Sequence, residues 1–265
     1  MREEQTSAPS PEHWCLFHGT SAELASRIVR EGSLPYLRSI GAEHLGVELW
    51  PRLLRRYGDV NGVVSRLTEG GCQFSVSAAA ALANLSGKMP AKNFEYGDFY
   101  ATFGPLRAAR YALRAGYGSE LLGILADVIN TLKSDGEDLD ELLNGVPELA
   151  ALTAKASSPV MLEISGLSLD NLADENGIEL GPQVALKLWK HLQLLESLNG
   201  VSNAGTSLDV RLREVIPRHI RWVYLLDLLA PACVSAILNV SSEDDHDLLL
   251  AIQRCRCSVE EFSAA

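Results

Sequence analysis

Segments with strand character are few in this chain and lie far apart, so any sheet they form must be assembled from distant parts of the sequence. Trp14-Cys15-Leu16-Phe17-His18 is a short apolar run closed by Gly19, and Gly97-Asp98-Phe99-Tyr100-Ala101-Thr102 reads as a strand entering a turn. Pro159-Val160-Met161-Leu162-Glu163-Ile164 is a third strand, and Leu208–Ile216 and Ile220–Leu226 read as two more around Pro217. The stretches between them carry helical spacing instead. Strands separated by helices of unequal length imply a mixed core of the α+β class.

The helical stretches have local signals of their own. Thr20 or Ser21 can cap a helix in which Ala22, Ala25, Ile28 and Val29 recur, and Gly32 ends it. Pro105 suits the first turn of a helix running to about Ala115. Leu45, Leu49, Leu53 and Leu54 suggest a helix interrupted by Pro51, and Ser75–Leu85 is Ala-rich and helix-prone. Leu121, Leu122, Leu125, Val128 and Ile129 form a helical stripe, followed by an acidic segment, Ser134–Glu141, expected as a solvated loop or helix start. Gln183–Leu198 is an amphipathic helix along Val184, Leu188, Leu192 and Leu195. The expected organisation is a disordered lead-in over 1–12, a single domain over 13–240 and a helical tail over 241–265. Helical insertions at about 35–92 and 119–156 are too long to be plain loops.

Bulk properties narrow the function classes. No apolar run approaches the roughly 18 residues of a membrane span, and the acidic start Met1-Arg2-Glu3-Glu4 lacks a signal-peptide core, so a cytoplasmic protein without a membrane partner is expected. Five cysteines without framework spacing, among them Cys255 and Cys257, read as free thiols rather than a metal site. A net charge of −11 weighs against duplex nucleic acid as partner. Two local basic strips, Arg52/Arg55/Arg56 and Arg107/Arg110/Arg114, keep a single strand open.

Three segments carry candidate chemistry. The first is Leu16-Phe17-His18-Gly19-Thr20-Ser21, followed by a helix and Glu31-Gly32-Ser33-Leu34. The second runs from Gly97-Asp98-Phe99-Tyr100 to Ala108-Ala109-Arg110-Tyr111-Ala112, with its two tyrosines at positions 100 and 111. The third is Leu208-Asp209-Val210-Arg211-Leu212-Arg213-Glu214-Val215-Ile216-Pro217, then Ile220-Arg221-Trp222-Val223-Tyr224. Taken singly, each has an ordinary structural reading: a strand-end histidine, core aromatics, a solvated glutamate. Their order and separations of roughly 80 and 110 residues are more specific.

Together the segments resemble the ADP-ribosyltransferase superfamily, in its His-Tyr-Glu branch of diphtheria toxin and the poly(ADP-ribose) polymerases. The resemblance covers about half of the chain and implies a split β-sheet core with helical insertions, NAD as substrate and no metal. It implies catalytic roles for His18, Tyr100 and Glu214. His18 would bind the adenosine ribose, Gly19 would grip the nicotinamide amide through its backbone beside Thr20, and Tyr100 and Tyr111 would wall a stacking slot worth on the order of 1 kcal/mol per ring. Glu214 would stabilise the oxocarbenium-like ribose left as nicotinamide departs. Glu163 and Asp209 are rival acids. Two departures matter: Ala108 replaces a small hydroxyl residue that helps bind the amide, and Leu212 breaks the Glu-x-Glu pattern of the arginine-specific toxins. The implied activity is mono-ADP-ribosylation by a bacterial toxin or effector. Its target would be a protein or a single-stranded nucleic acid, with an antitoxin or chaperone as a further partner. A non-catalytic binding module on the same fold is the alternative. RNA 2′-phosphotransferase is another, although its Arg-x-His-Val-His-like motif is missing.

Overall fold

A computed structural model describes residues 14–32, 41–72, 75–85, 99–174, 178–189, 222–225 and 229–240. In chain order the elements are β1 (Leu16–Ser21), α1 (Ala22–Glu31), α2 (Ala42–Tyr57), α3 (Val60–Glu69), α4 (Ser75–Leu85), β2 (Tyr100–Ala101), α5 (Pro105–Arg114), α6 (Glu120–Ser134), α7 (Asp140–Asn144), α8 (Pro147–Ala154), β3 (Pro159–Ile164), β4 (Leu172–Asp174), α9 (182–189), β5 (Val223–Leu225) and β6 (Val234–Asn239). Helices and antiparallel strands mix in the α+β manner. The lead-in, the tail with Cys255 and Cys257, and the whole of 190–221 lie outside the described residues.

The strands form two three-stranded antiparallel sheets, ordered β1-β3-β6 and β2-β5-β4. Central β3 is an almost unbroken apolar run because both its faces are covered, and Val160, Met161, Leu162 and Ile164 are all fully buried. Leu16, Val160, Leu162, Ile164 and Ile237 face the second sheet, while Phe17, Met161 and Leu238 face α5. Besides this side-chain packing, among the described residues one backbone pair joins the two sheets. Phe17 N–H donates to Thr102 O at 2.7 Å, and Thr102 N–H returns to Phe17 O at 2.9 Å. Beyond that pair β1 and β2 separate.

Two local expectations are refined. β1 does not close at Gly19 but runs on to Ser21, whose hydroxyl accepts from Leu24 N–H and caps α1. Thr20 is not the cap. In α9 Leu188 is buried as expected, but Val184 is 43% exposed and Ala185 takes the buried position beside it, while Leu192 and Leu195 lie outside the described residues.

The helices from the two insertions build one apolar core of their own. Leu45, Leu49, Trp50, Leu53, Leu67 and Leu82 from the first interlock with residues of α6 and α8, Leu122, Leu125, Leu132 and Leu149 among them. That packing also corrects the expected break at Pro51, since α2 runs through it without interruption. The proline lies on the exposed face, where the carbonyl of half-exposed Val47 that loses its hydrogen bond can turn to water. Leu45, Leu49, Trp50 and Leu53 hold the opposite face in the core.

The acidic segment after α6 is likewise not merely solvated. Asp135 accepts from Arg66 through both oxygens and from the Tyr57 hydroxyl at 2.6 Å. Arg66 and Tyr57 hold its carboxyl well below the usual range, while burial and this carboxylate push Tyr57 up to about 12. Glu137 pairs with Arg52 at 3.3 Å and Arg56 at 3.6 Å. Two arginines of the first basic strip are therefore engaged inside the helical unit, joining one insertion to the other. Leu24 of α1 enters the same core, and Arg27 pairs with Glu148 of α8, so the helix following β1 is anchored to both halves of the molecule.

Candidate active site

Successive residues of β1 point to opposite faces. Phe17 and Gly19 face α5, which presents Ala108, Ala109 and Ala112 to the strand. A Cβ built on Gly19 would fall on the Ala108 carbonyl oxygen and lie 2.9 Å from Ala112 N. Glycine is thus imposed at 19 by the approach of two backbones, and Ala108 is fully buried at that contact.

His18 faces the other way, toward the second sheet. Its Nδ1 lies 2.6 Å from the Tyr100 carbonyl oxygen. A carbonyl only accepts, so Nδ1 carries the proton and Nε2 is left as an acceptor in the neutral ring. Phe99 stacks on the imidazole, with centroids 4.2 Å apart and planes 28° from parallel. Although His18 keeps some exposed surface, burial lowers its pKa to about 4, against the opposing pull of the Tyr100 carbonyl.

That shift has a sign that can be checked. The folded protein takes up this proton only near pH 4, whereas the unfolded chain takes it up near 6.5. The contribution to stability is complete above pH 6.5 and falls as pH drops through that window, by at most about 3 kcal/mol. An NMR titration is expected to show the His18 ring unchanged from pH 8 to about 5.5, with its midpoint well below that of a free histidine. A midpoint near 6.5 would place the ring in open solvent instead.

Because Phe17 bonds sideways to Thr102, the N–H and C=O of Gly19, two residues on, face the same edge at the point where β2 has left β1. Among the described residues neither group has a partner across that split. His18 lies on one face of this edge and α5 with Tyr111 on the other. The Tyr111 hydroxyl accepts from Glu120 N–H at 3.1 Å, and its ring meets Trp222 edge-on at 5.3 Å. Both Tyr100 and Tyr111 are half-buried. The Thr20 hydroxyl is committed elsewhere: it is fully buried and donates to Gly118 O at 3.0 Å. Gly118 has φ +88° and lies so close to Ser21 that a Cβ would collide with it, so this contact clamps the α5–α6 turn to the end of β1.

The structure therefore brings His18 onto the Tyr100 carbonyl and lays Gly19 against α5, the helix that carries Tyr111 on the opposite face. Glu214 and its rival Asp209 lie outside the described residues. The other rival, Glu163, stands opposite Phe17 in the β1–β3 register, hence on the α5 face rather than with His18, and accepts from Ser235 at 3.3 Å. Phe99, Trp222 and Glu120 join the neighbourhood without having been singled out. Phe99 and Trp222 fall inside the second and third segments, but nothing local distinguishes them from core aromatics. Arg110 and Arg114 of the second basic strip are exposed and Arg107 is half-buried. No family model, curated protein or solved structure matches this chain.

Proposed function

We propose that this chain is an NAD-dependent mono-ADP-ribosyltransferase, which releases nicotinamide and transfers ADP-ribose to a macromolecular target. The observation that carries this reading is the His18–Tyr100 junction, where side chains and backbone 82 residues apart meet at the split between two sheets. Three complementarities support it. Neutral His18, protonated on Nδ1, offers Nε2 to a ribose hydroxyl. The N–H and C=O of Gly19, without a partner among the described residues, match the acceptor and donor of a primary amide. Tyr111 supplies an aromatic face beside them.

In the reaction the bond from C1′ of the ribose to the nicotinamide nitrogen breaks, and its electron pair leaves with nicotinamide, which becomes neutral. A nucleophile on the target forms the new bond to C1′ and gives up its proton to a base. Glu214 is assigned to the positive charge that develops on the ribose between these events. Remote binding through His18 helps to hold the geometry.

A protein target fits better than nucleic acid. The chain carries 34 acidic against 23 basic side chains, and Arg52 and Arg56 are paired with Asp135 and Glu137. The test is incubation of the protein with labelled NAD and a cell lysate, followed by protease or nuclease. Label lost to protease alone is the expected result, and label lost to nuclease alone would reassign the target. The fully buried Ala108, which cannot supply a hydroxyl to the amide, favours the second reading, a non-catalytic module. Failure of NAD to bind in calorimetry would establish that reading in place of the first.

A further inference from the structure

Glu120 opens α6 beside the proposed slot, its backbone N–H donating to the Tyr111 hydroxyl at 3.1 Å. The start of α6 is thereby fixed at the hydroxyl end of the Tyr111 ring, which also meets Trp222 edge-on. Among the described residues nothing accounts for the side chain of Glu120. Ser119 already caps the helix, accepting from Leu122 N–H at 3.1 Å, so no capping role is left for it. The carboxyl is half-buried, yet among the described residues it has neither a cation nor a hydrogen-bond donor. Asp135 at the other end of α6, by contrast, is held by Arg66 and Tyr57. Burial accordingly pushes the Glu120 carboxyl above its ordinary pKa. An acid withdrawn from water with no countercharge is costly, and such groups concentrate where a ligand completes the pairing.

We infer that Glu120 is a specificity-determining residue whose carboxylate supplies the countercharge to a pyridinium ring held against Tyr111. This assignment rests on the transferase reading and sharpens it, because it selects among forms of the dinucleotide. The oxidised form carries a cationic pyridinium, whereas the reduced dihydropyridine and free nicotinamide are neutral. A carboxylate beside the ring strengthens binding of the oxidised substrate alone and gives no hold on the departing neutral product. Since the attraction fades as the ring loses its charge, it acts on substrate binding rather than on the bond-breaking step.

The test compares NAD⁺ and NADH binding by calorimetry in the full chain and in Glu120→Gln. The variant is expected to weaken NAD⁺ about fivefold or more and to change NADH by less than about twofold. Glu120→Asp, which keeps the charge, is expected to retain the preference for the oxidised form. Gln removes a charge that burial disfavours, so its melting temperature is expected to be no lower than that of the parent. Equal weakening of both dinucleotides, or of neither, overturns the assignment while leaving the transferase reading in place. A parent protein that binds neither dinucleotide overturns both.

Discussion

Glu214→Gln is expected to bind NAD with nearly unchanged affinity and to release nicotinamide at least about a hundredfold more slowly than the parent. Gln keeps the size and hydrogen-bonding reach of Glu, so contacts to a ribose hydroxyl survive while the negative charge is lost. That charge matters little in the ground state and most when the ribose becomes cationic, which separates kcat from KM. Single-turnover release of labelled nicotinamide is the measurement. Glu163→Gln serves as the control, because the β1–β3 register puts Glu163 on the face opposite His18. Turnover that persists in Glu214→Gln and disappears in Asp209→Asn would move the catalytic acid to position 209.

The second large effect is structural. Gly19→Ala is expected to destabilise the protein by about 3 kcal/mol, at the upper end for an overpacked site. The reason is the identity of the atoms a Cβ would meet: Ala108 O and Ala112 N are helix backbone, and no rotamer change moves them. Relief requires α5 to slide off β1, which would also withdraw Tyr111 from the edge carrying Gly19. For a domain of this size the loss corresponds to roughly 10 °C in melting temperature. Scanning calorimetry reads it directly, and a variant melting within about 2 °C of the parent would show that α5 does not press on the strand this closely.

Much of the local structure was legible in the sequence. The six-residue run of β3, the cap of α1 within Thr20-Ser21, and the proline that opens α5 are signals confined to a few neighbouring residues. β6 shows no clean alternation because Val234 and Ile237 are buried on one side while Ala236 and Leu238 face the other, as in a strand covered on both faces. β4, three residues long, is too short to carry a period at all. Pro51 was read by its intrinsic effect on a helix, and the packing of Leu49, Trp50 and Leu53 outweighed it.

The candidate site divides along the same line. The sequence by itself determined the local setting of the candidate residues, with His18 on a strand before a glycine, Tyr100 at the start of a strand and Tyr111 on an alanine-rich helix. It did not determine that β1 continues past His18 to Ser21. Only the tertiary structure decided that the His18 proton sits on Nδ1, that Gly19 is glycine because α5 crosses it, and that Arg52 and Arg56 belong to the acids of the other insertion. Backbone propensity and side-chain periodicity act over a few residues, so they can be read in place. A carbonyl 82 positions away, or a helix laid across a strand, enters no local pattern until the chain has folded.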